Sequence, residues 1–407
     1  MNLSVIICIM TTLLGPTLGK VIMCYFGSWA THRPGKGNFQ VSDIEPSLCT
    51  HYIYAFVGVT AEGSIHLKNK RDHLPTHGEK NDIEKFAALK KRNGAVRGLV
   101  SIGGWAGTDG FYLVVNNATL RAKLVKNAVA FLEKYHLDGF DVNWDYQGQT
   151  GGVDLDKNFV ELVKELKEAF VKKEFLLTAA FGTLKHHGTR VYDIPALIGN
   201  LDYLIVMSYN LTTASSSNVV EHHAPMFPAS NQKPNATLMQ NNVKACVDFW
   251  LKSGAPASKL VLGLPLYGKT FTLADASKTT PGSPSAGPGR AGPYTREAGS
   301  LGYNEIYEKQ LSGKWTTVWD DKRKVPYAYS GDQWIGFDNR RSLAVKINYA
   351  KKHGLAGIMI WNIDTDDFRG TCGHGRYPLL NASRAALNST AVIQEEIQED
   401  VQDSNTP

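Results

Sequence analysis

The sequence predicts an α/β fold, a (β/α)8 barrel with an inserted α+β module between strand seven and helix seven. Three observations lead there. Eight short apolar runs recur near residues 21–28, 51–57, 97–103, 137–145, 176–182, 201–209, 259–266 and 355–362, and their alternation with helical stretches is that of a parallel sheet. The segments between them are amphipathic. The fourth run is polar on one face and apolar on the other, as a strand is when helices cover the outside of a barrel and chemistry lines its mouth, the TIM-barrel plan.

With 407 residues, 43% hydrophobic and 10% aromatic, the chain can bury one large core, and a barrel of this size needs no division into domains. The barrel is expected over residues 20–383. Helices are expected over Leu120 to Tyr135 and Asp156 to Lys172; in the second, Phe159, Leu162, Val163 and Leu166 recur at helical spacing against a Lys/Glu face. That stripe reads as core. The alternation breaks over residues 270–340, where a Pro/Gly-rich stretch from Pro281 to Pro293 precedes aromatic runs around Trp315–Trp319 and Val325–Tyr329; this is the inserted module. Residues 384–407 are acidic and polar and are expected to be a disordered tail.

Residues 3–14 form an apolar run that ends near Thr17-Leu18-Gly19, small residues suited to signal-peptide cleavage. It is too short to span a bilayer. Residues 1–19 are therefore expected to be removed, leaving a soluble, secreted, extracellular product that begins near Lys20. The formal charge of +6 is spread without a basic run, which argues against nucleic acid as a partner. No Gly-rich phosphate motif stands between a strand and a helix, so no cofactor is assigned. His222 and His223 are adjacent, their side chains diverge and no third ligand is evident, so they read as ordinary loop histidines and no metal is assigned. Acceptor sequences for N-glycosylation stand at Asn117, Asn210, Asn235, Asn381 and Asn388.

The chemistry concentrates in Asp138-Gly139-Phe140-Asp141-Val142-Asn143-Trp144-Asp145-Tyr146. Alternation along a strand puts Asp141, Asn143 and Asp145 on one face and Phe140, Val142 and Trp144 on the other. Acidic clusters are usually structural, but three inward polar groups at the end of a buried strand are costly to keep without a role. Asp138, on the opposite parity, reads as a residue that holds the barrel mouth together by hydrogen bonds.

This segment resembles the signature of the family-18 glycoside hydrolases, the chitinases, in which Asp-Gly-x-Asp-x-Asp-Trp-Glu-Tyr carries the catalytic acid. Further matches are Tyr25-Phe26 and Trp29, Tyr54-Ala55-Phe56, Ser101-Ile102-Gly103-Gly104-Trp105, Met207-Ser208-Tyr209, Tyr267-Gly268, and Met359 with Trp361. The resemblance implies a substrate-assisted mechanism in which the sugar acetamide oxygen is the nucleophile, one acid protonates the leaving oxygen, and a second carboxylate two residues earlier stabilises the cation. Here Asp145 stands at the acid, one methylene short, and Asn143 at its charged partner. Asn210 stands where the pattern ends in aspartate, and a glycan there would obstruct the groove. Three such changes in one constellation point to a catalytically impaired, lectin-like protein.

The resemblance also implies a sugar-binding surface. Trp361 matches the floor under the central sugar, Tyr209 and Tyr267 contact it, Trp29 and Trp105 resemble flanking platforms, and Tyr25, Phe56, Met207 and Met359 complete the lining. An arbitrary Trp is more often core. Ser215 falls where many relatives carry a groove tryptophan and Lys269 where arginine is usual, which suggests a shorter or weaker groove. A disulfide between Cys24 and Cys49 is implied; Tyr307 stands where a cysteine would usually partner Cys372, so Cys246 and Cys372 either pair or are both free. The expected ligand is a chitin-type oligosaccharide or related N-acetylglucosamine glycan, with a cell-surface glycoprotein as a further candidate partner. A weakly active endochitinase and a growth-factor-like or host-directed signalling protein are the alternatives.

Overall fold

The computed structural model describes residues 20–67, 82–104, 108–144, 152–182, 193–228 and 241–389. Eight parallel strands form the barrel: β1 (Val21–Gly27), β2 (His51–Val59), then, after a short antiparallel β3 (Ile65–Leu67), β4 (Arg97–Gly103), β5 (Gly139–Trp144), β6 (Leu176–Phe181), β7 (Tyr203–Val206), β8 (Leu260–Pro265) and, after the inserted module, the last strand, Gly357–Trp361. Pairing runs from β1 through the last strand, β8, β7, β6, β5 and β4 to β2, and β2 returns to β1, so the sheet closes. These strands are buried on both faces, which is why they read as nearly continuous apolar runs. On β5 the predicted parity appears directly: Trp144 stacks on Phe159 of the helix Gly152–Val171, ring centroids 4.0 Å apart, while Asp141 and Asn143 point inward.

A second, antiparallel sheet follows β8. It comprises β9 (Tyr267–Leu273), β10 (Ser285–Pro288), β11 (Ser300–Gly302), β12 (Thr316–Asp320), β13 (Val325–Ser330) and β14 (Gln333–Gly336), in the order β10, β9, β14, β13, β12 with β11 also on β9. The aromatic runs around 315–319 and 325–329 form one hairpin of it. Its first strand starts at Tyr267, three residues before the expected 270, so a residue expected at the barrel mouth opens the module. The helix Arg340–Lys352 then leads to the last barrel strand, numbered β15 below.

One expectation changes and an open one closes. The polar tail expected from 384 overlaps a helix, Pro378–Asn388, which buries Leu379, Leu380, Ala386 and Leu387; its apolar spacing continues past the position where composition alone turns polar. Residues 1–19 and 390–407 lie outside the described residues. Cys24 and Cys49 are bridged, Cα atoms 6.2 Å apart. Cys246 and Cys372 are not joined: the first rides on the helix Val243–Lys252, whereas the second sits in the loop after β15, where its N–H donates to Asp367.

At the N-terminal end of the barrel, His51 is buried beside Tyr203, and burial lowers its pKa to about 4, with Arg97 adding to the effect. The unfolded chain therefore takes up a proton at this histidine near pH 6.5 that the folded protein refuses until about 4. The stabilisation is complete above pH 6.5 and is lost as pH falls through that window. Replacing His51 with leucine should flatten the fall of the urea midpoint between pH 6.5 and 4; identical slopes in both proteins would contradict this.

Candidate functional site

Asp141 occupies the middle of the barrel interior and is fully buried. The register places Ser101 of β4 and Thr178 of β6 beside it, and both hydroxyls donate to its carboxylate, at 2.5 and 2.6 Å. Tyr25 donates from β1 at 2.6 Å. Burial still outweighs these three donors and raises the Asp141 pKa to about 6. The same burial, with the Asp141 charge, pushes the Tyr25 phenol well above its ordinary value. Asn143 lies one layer nearer the mouth, 4% exposed, with Nδ2 3.9 Å from Met207 Sδ. β4 passes so close here that a Cβ on Gly103 would sit 2.3 Å from the Asn143 carbonyl oxygen, and Gly103 has φ +90°, a position for glycine alone. Asp145, Trp105 and Asn235 lie outside the described residues.

Above this layer the strand ends carry an aromatic group. Trp29, Phe56 and Trp361 form a triangle with centroid separations of 6.0, 5.9 and 6.2 Å, and Tyr25 meets Trp361 at 5.1 Å. Trp29 is 38% exposed. Across the mouth, Tyr209 meets the edge of Tyr267 at 6.1 Å, and the Tyr267 hydroxyl donates to Asn210 Oδ1 at 2.6 Å. The Lys269 ammonium lies 5.6 Å from the Tyr267 centroid and 3.8 Å from the Glu297 carboxylate; burial lowers its pKa. The arrangement can stack a flat ligand on apolar ring faces and offer it amide and hydroxyl groups, with one buried carboxylate beneath.

Several expected roles shift in detail. The strand expected to run to 209 stops at Val206, so Met207, Ser208, Tyr209 and Asn210 form a connection, pinned by Ser208 Oγ donating to the Gly263 carbonyl at 2.8 Å. Asn210 has φ +57°, a conformation that asparagine tolerates better than most residues. Tyr25 and Met359 are completely buried, so in this conformation they support the lining rather than offer surface to a ligand. His222 and His223 are not ordinary loop residues, at 1% exposure each. His223 accepts the Asn210 N–H at 3.4 Å and lies against Tyr267, and burial keeps it neutral. His222 packs against both Tyr327 and Trp334 of the module, which stack on each other, and faces Asp320 at 3.3 Å.

Asp138 stands at the end of the barrel opposite the mouth, because it precedes β5, and there it binds the Gly98 N–H, Lys90 and Arg97. Among the described residues no group of three or more His, Cys, Asp or Glu is arranged to hold a metal ion, and no helix is long and apolar enough to cross a membrane. Asn117, Asn381 and Asn388 are exposed and Asn210 is half-buried. Sequence reasoning did not assign Ser101 and Thr178 to the site. A threonine inside the apolar run 176–182 was the available signal for the second.

Residues 21–366 match the model of glycosyl hydrolases family 18. An endochitinase of Manduca sexta is 36% identical over 91% of this chain and 68% of its own length. Human chitinase-3-like protein 2 is 33% identical over 90% of this chain and 93% of its own. Among solved structures, the group IV chitinase of Ostrinia furnacalis superposes with a TM-score of 0.86 at 39% identity, covering 91% of this chain and all of that one. Human YKL-39, described as a pseudo-chitinase with retained chitooligosaccharide binding properties, superposes with a TM-score of 0.83 at 32% identity, covering 91% of this chain and all of that one.

Proposed function

Because the chain belongs to glycosyl hydrolase family 18, we propose that it is a secreted chitinase-like protein whose barrel mouth binds N-acetylglucosamine oligosaccharides and hydrolyses them poorly. The observation that carries this reading is a contrast within one mouth: the aromatic triangle of Trp29, Phe56 and Trp361 is assembled, while the inward position above Asp141 is held by the uncharged Asn143. Ring faces favour the C–H faces of a pyranose. A substrate-assisted reaction needs more. As the acetamide oxygen attacks, positive charge grows on the ring it closes, and a carboxylate beside it lowers that barrier. Asn143 can accept from the acetamide N–H but supplies no charge, and it cannot raise the pKa of a neighbouring acid by repulsion. Asp145 retracts its carboxyl by roughly 1.5 Å relative to glutamate, and misplacement of about 1 Å can cost on the order of a hundredfold in rate.

A weakly active endochitinase is the second reading, favoured by the retained carboxylic acid at Asp145 and the intact Tyr25–Asp141 pair. Calorimetry and turnover separate them. Chitotetraose should bind the mature protein, and Trp361→Ala should weaken binding by about 1 to 3 kcal/mol, the range of base–aromatic stacking. Turnover near the ~10 per second median of enzymes would defeat the impaired-site reading. No binding at any oligomer length would instead favour a signalling role on the outer surface, with a cell-surface glycoprotein as partner.

A further inference from the structure

One carboxylate ties the end of β1 to the end of β15. Asp364, three residues after Trp361, is fully buried. Its Oδ1 lies 2.7 Å from an Arg33 guanidinium nitrogen and accepts from Asn362 Nδ2 at 3.0 Å, while Oδ2 accepts the Gly27 N–H at 2.9 Å. The same guanidinium nitrogen donates to the Asp364 carbonyl at 2.9 Å. Gly27 ends β1, Asn362 follows Trp361, and Arg33 closes the single 3-10 turn Ser28–His32 that carries Trp29. The indole of Trp29 rests on Gly27 itself: a Cβ there would come within 2.7 Å of two indole carbons.

We propose that Asp364, together with Arg33, is a positioning residue that fixes Trp29 relative to Trp361, so that the two indoles present one preorganised sugar-stacking surface. The inference deepens the glycan-binding reading and rests on it. Trp29 is more than one-third exposed; its ring meets Phe56, Trp361 and Gly27 on one side only, and the turn beneath it sets how it meets them. Both ends of that turn are tied to one carboxylate, whose third partner is the residue joined to Trp361. Holding the surface in its bound geometry removes an ordering cost that the ligand would otherwise meet. A charge-assisted bond to a fully buried carboxylate is suited to that task.

The test uses the mature protein labelled with 5-fluorotryptophan, with the Trp29 and Trp361 fluorine resonances identified by their loss in Trp29→Phe and Trp361→Phe. Arg33→Met unties one end of the turn, and Gly27→Ala pushes a methyl into the indole without touching the carboxylate. Both should shift or broaden the Trp29 resonance while leaving that of the buried Trp334 unchanged, and both should weaken chitotetraose binding about five- to twentyfold, part of the range set by complete loss of stacking. In a Trp29→Ala background the Arg33→Met penalty should fall below about twofold, because its target is gone. A Trp29 resonance that both variants leave in place, or a binding penalty undiminished without Trp29, would overturn the proposal. Should the parent protein bind no chito-oligosaccharide, the glycan reading fails and the fluorine spectra alone decide the positioning role.

Discussion

The triple variant Asn143→Asp, Asp145→Glu, Asn210→Asp should hydrolyse a fluorogenic chito-oligosaccharide at least about a hundredfold faster than Asp145→Glu alone, the scale of one well-placed electrostatic group. Glutamate at 145 restores reach. With Asn143 in place, however, no charge faces the closing oxazolinium ring, and no neighbouring carboxylate raises the acid's pKa into the useful range. Aspartate at 143 would stand one layer above Asp141, already pushed up to about 6 by burial, and two carboxyls so close hold a shared proton. Aspartate at 210 would keep the acceptor for the Tyr267 hydroxyl, now Asn210 Oδ1 at 2.6 Å, and would delete a glycosylation acceptor. The gains should be strongly non-additive, as for groups that act as a unit. A single Asp145→Glu change that reached the triple variant's rate would show Asn143 and Asn210 to be tolerated neighbours.

How much of this was legible beforehand follows from the range of each interaction. Face assignment on β5 needs only a two-residue period, and Trp144 against Phe159 and Asp141 in the interior follow it. The shell around Asp141 needs more: Ser101 and Thr178 are 40 and 37 residues away, and only the closed register brings them together. The same applies to Asp364, an unremarkable member of the acidic run Asp364–Asp367 until Gly27 and Arg33 arrive from more than 300 residues earlier. Parity placed Asp138 on the other face but was silent about which end of the barrel it occupies, and the mouth was the wrong end. Asn210 was expected just past a strand that in fact ends at Val206. Its left-handed backbone and its bond to Tyr267 depend on a chain path that no periodicity describes.

Breaking the buried pair behind the module should have the largest effect on stability. Lys346, on the helix that leads into β15, places Nζ 2.6 Å from both carboxylate oxygens of Asp338, and both side chains are 0% exposed. Asp338 stands two residues beyond β14, and Ser342 Oγ also donates to it, at 2.6 Å. Burial pulls the Lys346 pKa down, and the carboxylate pulls it back. Lys346→Met would leave that carboxylate without its counter-charge, at a cost of about 3 to 5 kcal/mol, a large part of the ~5 to 15 kcal/mol that holds most domains folded. Adding Asp338→Leu should recover most of that cost, because an apolar pair of similar volume has no charge to strand. Urea unfolding of both variants tests each step. A double variant no more stable than the single would mean that packing of the lysine stem and not its charge joins the module to the strand that ends in Trp361.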